Sequence, residues 1–343
     1  MKIIIVLISA YLLCISNTKI FHHIAILLLC ILFASRTTAI PDTINYVDIY
    51  ETNLVSNDSI EIGYLYLCKF FQSLGFSFNQ YLFCILLICL ELIYKYTCVL
   101  LKNKYIGIAL IMLISYFGLY YYGIVLRSSI AITLCYCGIA NALIKETRSS
   151  KITLFILILV SSTIHISSLL FIFSFIAFYQ IPKPILLIVI CITVLLLTTT
   201  SVIPVSQYIE SITLALNANR LTRYASMLET ADGASLLSWT YILISVVALK
   251  FRDSIKNDYD KKVYNCFLNL YLCGSLINSL FWQIPGGSRL SMQLLFFEFI
   301  IVYYLVFRVD MMRRYSNQML LVFFYVLIKS FALFHYTPSL LLY

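Results

Sequence analysis

Apolar residues in this chain come in long unbroken runs, not in alternation. About twelve such runs, at 3–16, 20–35, 79–101, 105–122, 124–144, 152–164, 166–180, 185–203, 236–251, 263–283, 290–307 and 315–334, are separated by shorter polar stretches. Continuous runs predict bilayer-crossing helices, whereas barrel strands would alternate over about ten residues each. The runs 152–164 and 166–180 are short and meet at Ser161–Ser168. Joined, they make one long helix with His165 in its middle; split, they make a tight helical hairpin, and the split is adopted because of the charge pattern below.

The polar stretches are unequal. Arg36–Tyr64 is the longest before the midpoint, and it concentrates Asp42, Asp48, Glu51, Asp58 and Glu61 among Tyr46, Tyr50 and Tyr64. Residues 65–78, LYLCKFFQSLGFSF, have helical apolar spacing interrupted by Lys69, Gln72 and Ser73, which predicts an interfacial amphipathic helix within an outer loop at 36–78. A second outer loop covers 204–235, with Arg220, Arg223 and Tyr224 at a spacing of three and four on one helical face. A third is the tight turn IPGGSR at 284–289. Neither repeats nor a separate soluble domain are visible, so 1–343 reads as a single polytopic membrane domain.

Composition agrees with the pattern. A chain of 343 residues that is 62% hydrophobic and 11% charged, with a mean hydropathy of +0.95, carries more apolar surface than a soluble domain can hide. The fold class is therefore an all-α polytopic membrane protein. With the split at His165, sixteen of the 24 basic residues fall on one side and eight on the other, which makes the richer side cytoplasmic and puts both termini outside. The net charge of +9 is thus accounted for by topology, and nucleic acid is not an expected partner. Ten of the eleven cysteines lie inside apolar runs, where cysteine acts as a small hydrophobe, and their spacing predicts no metal site.

The basic residues also differ in kind. Lysine leads eleven to five inside, while arginine leads five to three outside, at or beside the ends of spans. Topology has no preference for arginine, but a fork that grips phosphate oxygens would explain one; headgroup anchoring is the alternative. Arg127 in RSSIA stands at the outer, N-terminal end of the run 124–144, and Arg289 in GGSR comes just before the run 290–307, whose N-terminus also points outward; free N–H groups and the helix dipole there favour an anion. A plain turn is the alternative for GGSR. His165, set among Ser161, Ser162, Ser167 and Ser168, has the chemistry to take a proton from a hydroxyl, or else is satisfied by its neighbours. Nucleotide-binding and metalloprotease motifs, GxGxxG and GxSxG are absent.

Taken in order, Arg36, PDTINYVDIY, EIGY at 61–64, RSSIA at 127–131, SSTIHISSLL at 161–170, NRLTRYASM at 219–227 and GGSRLSMQ at 286–293 resemble the EpsG-like branch of Wzy-type polysaccharide polymerases. The resemblance covers nearly the whole chain. It implies an architecture like the metal-independent membrane glycosyltransferases (GT-C-like, as in O-antigen ligases). The implied activity is polymerisation of undecaprenyl-diphosphate-linked oligosaccharide repeat units on the outer, periplasmic face of the bacterial cytoplasmic membrane. No cofactor and no metal are implied; the lipid-linked oligosaccharides, the bilayer and a chain-length regulator are the implied partners. Carried onto this chain, Arg127, Arg223 and Arg289 would bind diphosphate, with Arg220 and Arg36 as further binders. Asp42, Tyr46, Glu61 and His165 match positions that hold or activate the acceptor sugar. Beside the resemblance, the aromatic faces of Tyr46, Tyr50, Tyr64, Tyr121 and Tyr224 have the shape to hold sugar rings, with interfacial packing as the alternative for each. The family often has glycine before the first-loop aspartate, where this chain has Ile40, Pro41, Asp42, so the role of Asp42 stays open. An O-antigen ligase, another lipid-linked-sugar transferase and a flippase are the alternative readings.

Overall fold

The apolar runs fold as helices, since a bilayer offers no water to satisfy backbone N–H and C=O groups and the helix satisfies them internally. A computed structural model describes residues 2–16, 18–40, 42–52, 60–179, 184–199, 234–282, 287–309 and 315–336. Its regular elements are α1 (Lys2–Ile15), α2 (Lys19–Ala34), α3 (Thr43–Thr52), α4 (Ile62–Ser73), α5 (Phe78–Leu100) and α6 (Ile106–Leu113). A π-helical turn, Ile114–Gly118, then leads into α7 (Leu119–Gly123). There follow α8 (Leu126–Lys145), α9 (Arg148–Ile164), a 3-10 segment Ile166–Phe173, α10 (Ser174–Ala177), α11 (Pro184–Thr199), α12 (Ala234–Lys250), α13 (Asp258–Phe281), α14 (Gly287–Leu295), α15 (Glu298–Phe307) and α16 (Tyr315–Tyr336).

Five helical stretches among the described residues are long and apolar enough to cross a membrane: Phe78–Leu100, Ile106–Gly123, Leu126–Lys145, Arg289–Phe307 and Asn317–His335. Others, such as Lys19–Ala34 and Pro184–Thr198, are apolar but shorter than the roughly 20 residues that a perpendicular span needs. The chain is a multi-pass helical membrane protein; the count of about twelve spans read from the apolar runs goes beyond these five.

The chain gathers into two compact units, Met1–Leu169 with Met312–Tyr343, and Leu170–Met311. In the first, α8 lies between α5 and α9, and α2 lies between α1 and α5. Small residues let α8 come close: a Cβ on Gly138 would sit 2.8 Å from Leu154 Cδ1 and 3.2 Å from its Cα. α5 starts at a capping box, with the Gln80 N–H donating to Ser77 Oγ (3.4 Å) and the Ser77 N–H donating to Gln80 Oε1 (2.8 Å). α16 rests on α6 and the π turn, where the Ser330 hydroxyl donates to the Ser115 carbonyl (3.3 Å) and Lys329 Nζ lies 5.2 Å from the centre of the Tyr116 ring.

In the second unit α13 is the axis, touched by α10, α11, α12, α14 and α15. Polar ties between buried side chains join these helices. Asn278 Nδ2 donates to Ser238 Oγ (2.6 Å), the Ser291 hydroxyl donates to Asn278 Oδ1 (3.1 Å), and the Tyr271 hydroxyl donates to Glu298 Oε2 (2.8 Å). Such bonds contribute about 0.6 to 2 kcal/mol each between membrane helices and also fix register.

Candidate active site

Three chain segments of the first unit meet around one carboxylate. Glu61 is the N-cap residue of α4, in extended conformation (φ −67°, ψ 133°), with a side chain that does not cap its own helix and is free to reach outward. α4 is held against α9 because Gly63 has no side chain: a Cβ there would fall 2.7 Å from the Thr163 carbonyl oxygen. That contact brings Glu61 to the end of α9, where the helix stops at Ile164 and His165 turns extended (φ −154°, ψ 109°). Arg127 arrives on the first turn of α8.

The carboxylate is divided between its two neighbours. Arg127 Nη1 donates to Glu61 Oε2 in an ion pair, while Glu61 Oε1 faces His165 Nδ1 at 3.5 Å and the Ile166 N–H at 3.4 Å. The Glu61 side chain is only 12% exposed, against 25% for Arg127 and 22% for His165. Burial alone would push its carboxyl up. The His165 ring and the Arg127 guanidinium overcome this and bring it down to about 2. A carboxylate so well stabilised is a weak base, which suits it to orienting charge more than to accepting a proton.

Aromatic rings form the wall behind the ion pair. Arg127 Cζ lies 5.9 Å from the centre of the buried Tyr64 ring, and Tyr64 lies 6.0 Å from Tyr46 of α3. Burial pushes both phenols up, so they stay neutral. Arg127 keeps Nε buried without a hydrogen-bond partner, a donor available beside the ion pair. Asp42 immediately precedes α3 in the left-handed region (φ 63°), a conformation that aspartate tolerates better than most residues, and its carbonyl accepts from the Tyr46 N–H (3.1 Å).

Arg36 is differently employed from the diphosphate contact that the resemblance implies. It is 5% exposed, and its guanidinium donates to three backbone carbonyls: Nε to Phe33 (3.1 Å), Nη1 to Ile124 (3.3 Å) and Nη2 to Tyr122 (3.1 Å). It ties the end of α2 to the chain just ahead of Arg127. Charge alone in the sequence could not reveal this.

Of the remaining expected site residues, Arg289 lies on the first turn of α14 in the second unit, exposed. Arg220, Arg223 and Tyr224 fall outside the described residues. Sequence reading missed the direct pairing of Glu61 with Arg127, having given the two separate partners, and it missed the Tyr64 ring beneath Arg127. It also missed Gly63, where the absence of a side chain lets α4 meet α9.

A buried acid, a guanidinium and an imidazole thus converge at helix ends of a multi-pass protein. The model of the EpsG family matches residues 19–342, and the chain belongs to that family. No curated protein and no solved structure matches it. Family and membrane helices together make this a membrane protein of polysaccharide biosynthesis.

Proposed function

We propose that the chain polymerises undecaprenyl-diphosphate-linked oligosaccharide repeat units on the outer face of the bacterial cytoplasmic membrane, building O-antigen, capsule or exopolysaccharide. The observation that carries this reading is the Arg127–Glu61–His165 arrangement in a member of the EpsG family. In the reaction an acceptor hydroxyl oxygen attacks the anomeric carbon of the donor glycan. The bond from that carbon to the lipid diphosphate breaks, and the diphosphate leaves with the electron pair. The hydroxyl proton has to go to a base.

His165 is that base. With Nδ1 turned toward Glu61 Oε1 at 3.5 Å, a shortening of about 0.5 Å makes a hydrogen bond that leaves Nε2 as the proton acceptor. Glu61 is then a positioning residue for both partners. Arg127 stabilises the charge that develops on the leaving diphosphate, and the family resemblance assigns the same role to Arg223, Arg289 and Arg220. Asp42, Tyr46 and Tyr224 hold sugar. Arg36 positions the Arg127 segment. This chemistry is that of the metal-independent, GT-C-like membrane glycosyltransferases.

The test is polymerisation in vitro by the purified full chain in detergent, with lipid-diphosphate-linked repeat units as the only substrate. Products lengthening by whole repeats, with release of lipid diphosphate, are expected. Transfer of a preformed polymer to a lipid core without growth would instead make it a ligase, and movement of substrate across vesicles without new glycosidic bonds would make it a flippase.

A further inference from the structure

A second polar cluster lies at the opposite end of α2 and α5. α2 begins at Lys19 and ends beside Arg36, while α5 begins at Phe78 and ends at Leu100, and the two run antiparallel, with His23 of one beside Glu91 of the other (2.8 Å). The first turns of α2 and the last turns of α5 therefore share the membrane face away from Arg36 and Glu61. The catalytic reading makes no use of them.

A cavity of about 650 Å³ opens there, walled by Lys19 and His23 of α2 and by Ile88, Leu92, Lys95 and Val99 of α5. At a rise of about 1.5 Å per residue, Ile88 lies roughly 16 Å deeper than Val99. The deep part holds Ile88 and Leu92 beside the Glu91–His23 pair, and the part toward the end of α5 carries Lys95 and Lys19 with Cys98 and Val99. The two ammonium groups outweigh the single carboxylate, so the site has net positive charge. Ile88 and Val99 are 52% and 46% exposed in a helix that crosses the bilayer, so what they face is lipid.

We infer that this groove binds an anionic phospholipid of the leaflet opposite the Glu61 site. Its phosphate sits between Lys19 and Lys95, and its acyl chain lies along Leu92 and Ile88. The charge matches a phosphodiester, and long lysine stems reach the headgroup level while their methylenes cover apolar surface. A free phosphate would leave the apolar wall without an occupant.

Native mass spectrometry of the purified full chain tests this, with phosphatidylglycerol, phosphatidylcholine or inorganic phosphate added separately. Phosphatidylglycerol should be retained at least several-fold better than phosphatidylcholine. Lys19→Ala and Lys95→Ala should each weaken its retention about fivefold, as loss of one lysine from an anionic lipid contact does, and Lys95→Arg should keep it. Both lysines are exposed, so these variants leave the core intact. Three results would overturn the inference: equal retention of the two lipids by the unmodified chain, unchanged retention by the Lys19→Ala/Lys95→Ala double variant, or displacement of the lipid by inorganic phosphate. The lipid comparison on the unmodified chain stands without any variant.

Discussion

Gly63 of α4 and Thr163 of α9 touch backbone to backbone, with room for no side chain between them: a Cβ on Gly63 would lie 2.7 Å from the Thr163 carbonyl oxygen and 2.8 Å from its carbon. Because the obstruction is main chain, no rotamer change relieves it. Gly63→Ala should push α4 off α9 at a cost of about 1 to 3 kcal/mol, the usual range for overpacking. It moves Glu61 away from His165, so polymerisation should fall while the protein still inserts. Thermal unfolding in detergent together with an activity assay checks both parts; an unaltered melting temperature and rate would mean that the crossing is slack.

The Glu61 carboxyl is held at about 2, below its ordinary 4.5, so folding is favoured by its ionised form. The sign follows from linkage: this contribution is complete above 4.5 and disappears as pH falls through about 2. Melting temperatures recorded between pH 7 and pH 2.5 should therefore drop for the wild type below pH 4.5. Glu61→Gln should start lower and show a shallower drop in that window. Parallel curves for the two proteins would put the acid sensitivity elsewhere.

Removing the proposed base is the most direct test of chemistry. His165→Ala should lower the rate by roughly 10²- to 10⁴-fold, the span typical of general base catalysis. Cells carrying it should accumulate lipid-linked single repeats at normal protein levels. Glu61→Gln, which acts through His165, should cost less and should alter the pH–rate profile of what activity is left. Long polymer from the His165→Ala strain would return histidine to a structural role.

Lysine keeps the charge of arginine without its planar fork. A charge-assisted hydrogen bond is worth about 1.5 to 3 kcal/mol, so Arg127→Lys, Arg223→Lys and Arg289→Lys should each slow polymerisation by about one to two orders of magnitude. Arg313→Lys, in a segment that the charge pattern puts in the cytoplasm, should leave the rate alone. Arg36→Lys should act on stability more than on rate, because three backbone carbonyls lose their donor. Equal tolerance at all of these positions would make the outer arginines membrane anchors.

Arginines meeting the leaving group also predict that polymerisation survives excess chelator. Loss of activity that manganese or magnesium restores would assign metal ligation to the acids of the first outer loop, Asp42 and Glu61 among them.

The helices were legible because membrane helices carry their signal locally: each apolar run in the described residues falls on a helical element, and the break at His165 appears where the serines cluster. The split into two units was not legible, since apolar runs continue through both. At the site, residue types pointed to Glu61, Arg127 and His165, but their convergence depends on Gly63 letting α4 reach α9, a contact between residues 100 positions apart that no periodicity encodes. The backbone contacts of Arg36 were not legible for a related reason. A guanidinium beside a span looks the same in sequence whether it faces a ligand or the carbonyls at the end of a neighbouring helix.

The π turn at Ile114–Gly118 inserts a phase shift into an otherwise regular helix. One residue of α-helix turns through about 100°, so deleting one residue here would rotate α7 by that angle relative to α6. Tyr122 would carry the error: its carbonyl is held by Arg36 and its hydroxyl by Thr133 (2.9 Å), and both depend on its present bearing. The chain thus sets the heading of the segment that delivers Arg127 by counting residues inside a helix, and an insertion or deletion in this turn would be felt at the Glu61–Arg127–His165 cluster as a misalignment even though each of those side chains was still present.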